Sequence, residues 1–88
     1  MKIWKFPIST TDLQSVSMPK NAHILCVQIQ RGAPMLWAEC DEEAERVDRQ
    51  ILIVGTGHSI DQSGARRYIG TYQLHNGDLV FHVYEQGV

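Results

Sequence analysis

The stretch His23-Ile24-Leu25-Cys26-Val27-Gln28-Ile29-Gln30 decides the fold class, because apolar and polar residues alternate along it with a period of two. Leu25, Val27 and Ile29 fall on one face, and Ile24, Cys26, Gln28 and Gln30 on the other. A helix would scatter these residues around its circumference, whereas a strand gives one face to a core. Arg31-Gly32-Ala33-Pro34 reads as a connection of about four residues into Met35-Leu36-Trp37-Ala38-Glu39-Cys40, so the two runs form an antiparallel hairpin.

Downstream, Asp41-Glu42-Glu43-Ala44-Glu45 is an acidic break, too short for a stable helix and without the ligand spacing of a metal loop, and it reads as a solvated turn. Val47 to Val54 follows and ends in Ile51-Leu52-Ile53-Val54, four apolar residues in a row, which suits a central strand covered on both faces. Gly55 to Gly64 is polar and glycine-rich, the longest unstructured stretch, and loops of this length in small domains are often functional. Arg67 to Leu74 and Leu79 to Tyr84 flank His75-Asn76-Gly77-Asp78. Asn-Gly between strand-like runs signals a second antiparallel hairpin, because both residues tolerate positive φ. In its last strand Leu79, Phe81 and Val83 share one face, while Val80, His82 and Tyr84 share the other.

Upstream, Ile3, Trp4 and Phe6 ending at Pro7 form a short edge strand, since proline cannot donate to a ladder. Ser9-Thr10-Thr11-Asp12 reads as a turn or a helix cap, and Leu13 to Met18, closed by Pro19, fits neither period well and is read as an extended segment. The expected fold is mainly β: one domain over residues 1–88, a small antiparallel sandwich or barrel of six or seven short strands with little helix. Its apolar faces exceed what one small sheet covers, so two sheets pack together or copies of the chain cover one another.

Composition narrows the classes of function. Eight Lys and Arg against ten Asp and Glu leave a net charge of −2, which argues against a non-specific grip on polymeric nucleic acid or an anionic membrane. No apolar run approaches the length of a membrane span, and the first residues lack a signal-peptide core. Cys26 and Cys40 sit in strand-like runs with no Cys-x-x-Cys spacing, and both read as reduced packing residues.

The residues that could carry chemistry cluster late in the chain. Gly55-Thr56-Gly57-His58 follows an apolar strand and could turn backbone N–H groups, a hydroxyl and an imidazole toward an anion, although a tight turn explains the same spacing. It is neither a Walker loop nor a dinucleotide fingerprint. Arg66 and Arg67 offer paired donors to phosphate and Tyr68 offers a ring face to a base, while a solvated arginine pair beside core tyrosines is the alternative. Trp4 and Trp37 are the largest apolar side chains; core is the default for Trp37, and base stacking its other role. His23, His58, His75 and His82 show no metal-ligand spacing, so no metal or cofactor is expected. His58, Ser59 and Asp61 name a hydrolase triad but lie too close in one loop to act as one, and no catalytic residue is assigned.

Trp37, Thr56-Gly57-His58, Tyr68-Ile69-Gly70-Thr71 and Phe81-His82-Val83-Tyr84-Glu85, with the opening Ile3 to Ile8, resemble a family of short, uncharacterised proteins of tailed bacteriophages. Proteins of this size and strand content are also similar in kind to viral anti-CBASS sponges, homo-oligomers that sequester cyclic-nucleotide signals of bacterial immunity. This resemblance implies a non-enzymatic binder of a small phosphorylated ligand, a cyclic dinucleotide among the candidates, in the cytoplasm of an infected bacterial host. It makes Thr56, Gly57, His58, Arg66 and Arg67 the phosphate contacts and Trp37 or Tyr68 the base platform. A structural or host-protein-binding module, and a small hydrolase or isomerase, are the alternatives.

Overall fold

Alternating side chains, β-branched residues and glycine-bearing turns leave the backbone little choice but strands, and the computed structural model, which describes residues 1–88, has seven. They are β1 (Lys2–Pro7), β2 (Leu13–Pro19), β3 (His23–Gln30), β4 (Ala33–Cys40), β5 (Arg46–Gly55), β6 (Arg66–Leu74) and β7 (Leu79–Gln86). The only helical turn is a 3-10 segment at His75–Gly77. Two antiparallel sheets result, one ordered β1-β4-β3 and the other β2-β5-β7-β6. The mainly β, sandwich-like expectation holds.

The inner faces of the two sheets share one core, in which Met18, Leu36, Cys40, Ile51 and Val83 lose all contact with solvent. Trp4, Ile24, Ile69, Leu74 and Phe81 pack around it. Both hairpins form, β1 and β2 are edge strands, and β5 is internal. The acidic break is a turn in which Glu43 N–H donates to the Asp41 carboxylate at 3.0 Å.

Three local expectations are corrected. The β3–β4 connection has two residues rather than about four: Arg31 at φ 52° and Gly32 at φ 81° make a left-handed turn whose twist matches the strands, and Ala33 and Pro34 already belong to β4. Leu25, Val27 and Ile29 do not share a buried face, because the register against β4 shifts between Ile24 and Cys26. Leu25 is the extra residue of a bulge and stays exposed, so Ile24 and Val27 point inward together. Finally, Ile51 and Ile53 are buried, but Leu52 and Val54 are only half-covered on the outer face.

A matching bulge at Ile69 on β6 brings Gly70 opposite Val83 on the inner face. There β6 meets β3 of the other sheet, and a Cβ on Gly70 would lie 2.8 Å from Val27 Cγ1. The sheets approach this closely only because the residue is glycine.

At the end of β5 nearest the β4–β5 turn, the core contains an ion pair. The guanidinium of Arg49 holds both carboxylate oxygens of Glu85, with Nη2 to Oε1 at 2.9 Å, and donates through Nη1 to the Ala22 carbonyl at 2.9 Å. The Glu85 side chain is 3% exposed and that of Arg49 17%. This clamp ties β5 and β7 to the chain entering β3.

Candidate functional site

Pairing carries the outward residues of the larger sheet into rows. Leu52, Tyr84 and Tyr68 form one row with Leu13 at its end, and Val54, His82 and Thr71 form the next. On this face Tyr68 and Tyr84 meet edge to face with ring centres 5.5 Å apart. The Arg66 guanidinium lies 5.5 Å from the Tyr84 ring centre and donates to the Asp61 carbonyl at 3.1 Å.

His82 joins the rows to the long loop. Thr56 Oγ1 is 3.4 Å from the Val80 carbonyl, to which it donates, and 2.7 Å from His82 Nε2. Thr71 Oγ1 is 3.0 Å from His82 Nδ1 and is also hydrogen-bonded to the Tyr68 hydroxyl. If each oxygen gives one proton and takes one, the order is Tyr68 to Thr71 to His82 Nδ1, then Nε2–H to Thr56 to Val80. That order makes the neutral ring the Nε2–H tautomer and leaves the Tyr68 oxygen facing outward as an acceptor.

The loop beginning at Thr56 folds back at once. His58 N–H donates to the Gly55 carbonyl at 3.0 Å, and Gly57, at φ 87°, occupies the left-handed position that this turn requires. The His58 ring lies on Gly55, where a Cβ would be 3.2 Å from its Nδ1. Farther along, the Asp61 carboxylate accepts from Ser63 N–H at 2.9 Å, and that bond holds its pKa below the ordinary carboxylate value, with Arg66 contributing less.

Four clefts surround this turn, and Gly55 and His58 line all of them. One of about 230 Å³ opens on the outer face among Thr56, Gly57, Ile60, His82 and Tyr84, and has no carboxylate in its wall. The other three, of about 300, 90 and 380 Å³, contain Asp12 and Asp61, Asp12, and Asp78 respectively.

Thr56, Gly57, His58, Arg66 and Tyr68 therefore come together around one face. Arg67 does not: adjacent strand residues point to opposite faces, and Arg67 pairs with Glu85 on the other side of the sheet. Trp37 does not join them either. It is half-buried on the outer face of the smaller sheet, between Lys5 and Cys26, so the core lies between it and the loop. It is neither a core residue nor a platform for this cleft. His82, Thr71 and Tyr84 were not among the expected site residues. Counting back from the Asn76-Gly77 turn, Leu74 opposite Leu79 puts Thr71 opposite His82, so the pairing was available in the sequence.

Ser59 and Asp61 line a cleft with His58, but no hydrogen bond links the three. No three His, Cys, Asp or Glu side chains gather in a metal-binding group. No helix is long and apolar enough to cross a membrane. Comparison with the curated proteins and with the solved structures finds no match. A protein-family model covers all of residues 1–88, and the chain belongs to that family, described as a domain of unknown function (DUF7352).

Proposed function

We propose that this chain binds a small phosphorylated ligand carrying an aromatic base, and holds it without converting it. The observation that carries the reading is the distribution of charge around the loop. Of the four clefts at His58, the one walled by Thr56, Gly57, His82 and Tyr84 is free of carboxylates, and Arg66 is stacked on its Tyr84. A phosphate there meets the His58 imidazole, with the Arg66 guanidinium beside it on Tyr84, whereas in the neighbouring clefts it would meet Asp12, Asp61 or Asp78. Tyr68, more than half exposed, offers its ring beside them.

An excess of exposed surface supports the self-associating form of this reading. The chain exposes 5644 Å², while a folded monomer of its mass has about 5,200 Å² by size scaling. Leu13 and Tyr68 contribute to that surplus on the same face as the cleft. Sequestration of a cyclic-nucleotide signal, as by a viral sponge, requires tight binding and enough sites, and a homo-oligomer brings several sites together. The test is native mass spectrometry followed by calorimetric titration with cyclic dinucleotides and cyclic ADP-ribose isomers. We expect an oligomer and at least one binder at micromolar affinity or better; absence of any such binder overturns the reading. A protein-binding module is favoured instead by the exposed Ile3 and Leu25 around Trp37 on the smaller sheet, and predicts a partner lost on Trp37→Ala and kept on Arg66→Ala.

A further inference from the structure

His58 is placed where a dividing wall would be. It lines all four clefts around the end of β5, and Gly55, beneath its ring, lines the same four. The hydrogen bonds made by histidine rings in this protein all belong to His82, so the His58 imidazole rests on packing alone. Its contact is the bare Gly55 backbone, where a Cβ would sit 3.2 Å from Nδ1 and 3.3 Å from Cε1. The residue is exposed, so its ring has solvent to turn into. Singly, the clefts run from about 90 to about 380 Å³, below or just inside the range for ligand pockets, about 300 to 1,000 Å³. Together they surround one side chain.

We propose that His58 is a movable partition, and that turning its ring off Gly55 joins the three carboxylate-bearing clefts into one pocket that takes the heterocyclic base of the ligand. The chemistry of the walls selects the occupant. Ile53 and Phe81, on the inner side of the sheet, give an apolar floor for a flat ring. Asp12, Asp61 and Asp78 lie around it, outside the anion cleft, so this end repels phosphate and favours a ring that carries amino donors. The inference builds on the phosphate-binding reading by giving the other end of the same ligand a place. Base and phosphate are then separated by the hinge of one imidazole.

One substitution separates the two ends. Sulfate, which keeps its charge across the working pH range, probes the anion cleft, and free adenine, which has no phosphate, probes the joined pocket. Both are followed by amide and methyl chemical shifts in the full chain. His58→Ala removes the partition and one anion donor together. Adenine should bind about tenfold more tightly, as expected when an opening populated near one part in ten no longer limits binding. Sulfate should bind about fivefold more weakly for the lost hydrogen bond. Gly55→Ala pushes the ring away and keeps it, so it should tighten adenine binding as well. Adenine binding unchanged or weakened in His58→Ala overturns the partition, whatever sulfate does. Tighter adenine binding with no sulfate site in the wild type keeps the partition and removes the phosphate reading. Circular dichroism checks that each variant folds, and His58→Ala, at an exposed loop position, suffices if Gly55→Ala does not.

Discussion

Gly70→Ala tests whether the two sheets are held at a distance set by one missing methyl group. Gly70 has no positive φ to protect, so alanine has no backbone penalty there, and restricting the unfolded chain should stabilise the protein by about 0.4 to 1 kcal/mol. Against this stands a Cβ placed 2.8 Å from Val27 Cγ1, where ordinary contact begins near 3.4 Å. Val27 is 5% exposed and β-branched, so it has neither an empty volume nor a free rotamer to retreat into. Overpacking of this kind costs about 1 to 3 kcal/mol. The steric term wins, and the net loss should be about 1 to 2 kcal/mol, or roughly 5 to 15 °C in Tm for a domain of this size. The assay is equilibrium urea unfolding followed by the fluorescence of Trp4, which packs against the core. Val27→Ala alone should cost about 2 kcal/mol through its cavity, and the double variant should lose at least about 1 kcal/mol less than the two single losses together. A Gly70→Ala protein as stable as the parent, or strictly additive losses, would refute the close approach of β3 and β6.

Four further outcomes follow from the same geometry. Glu85→Gln should cost about 3 kcal/mol in urea by leaving the Arg49 guanidinium buried without its anion, and replacing both residues with Met should recover much of that loss; a double variant worse than the single would contradict a desolvated pair. Burial raises the pKa of the Tyr72 hydroxyl, whose bond to Thr10 at 2.7 Å opposes the shift. The folded chain thus keeps that proton to higher pH than the unfolded chain, so the contribution is complete below about pH 10 and lost as pH rises through the folded value. Tyr72→Phe should accordingly flatten the alkaline decline of the urea midpoint. Burial also raises the Cys40 thiol, while Cys26 is only half-buried, so iodoacetamide should label Cys26 first in the native protein, and equal rates by mass spectrometry would contradict the assigned faces. Arg66→Ala should weaken cyclic dinucleotide binding about fivefold or more and Arg67→Ala should not, as read by calorimetry; equal losses would remove the single-face site.

The strands were legible because their signal is local. Alternation in β3, the apolar run in β5 and the turn residues at Gly32 and Asn76-Gly77 need no partner to be recognised. The two bulges were not legible, because an unpaired residue is defined only by the strand opposite. Leu25 looks like a core residue until Ile24 pairs with Ala38 and Cys26 with Trp37. The same holds for the ion pair: Arg49 and Glu85 are 36 residues apart and sit on strands whose other residues read as ordinary. Within the site, Thr56-Gly57-His58 was readable as a turn able to face an anion. Which arginine joins it depends on the parity of β6, and Trp37 was excluded by its sheet rather than by its chemistry.

Net charge illustrates why parity matters more than composition for this chain. A total of −2 argues against a polyanionic partner, yet it says nothing about a single phosphate, because the field at one cleft is set by the few groups within a Debye length. Strand alternation separates those groups: Arg66 is sent outward to Tyr84 while Arg67 faces Glu85, and Val80, His82 and Tyr84 turn outward from a strand whose Phe81, Val83 and Glu85 build the core. The loop then distributes the carboxylates, leaving Asp12, Asp61 and Asp78 around three clefts and none around the fourth. The same alternation makes site and fold separable on β7. Changes at His82 or Tyr84 alter the outer face with little effect on packing, whereas changes at Val83 or Glu85, one residue away, act on the core first.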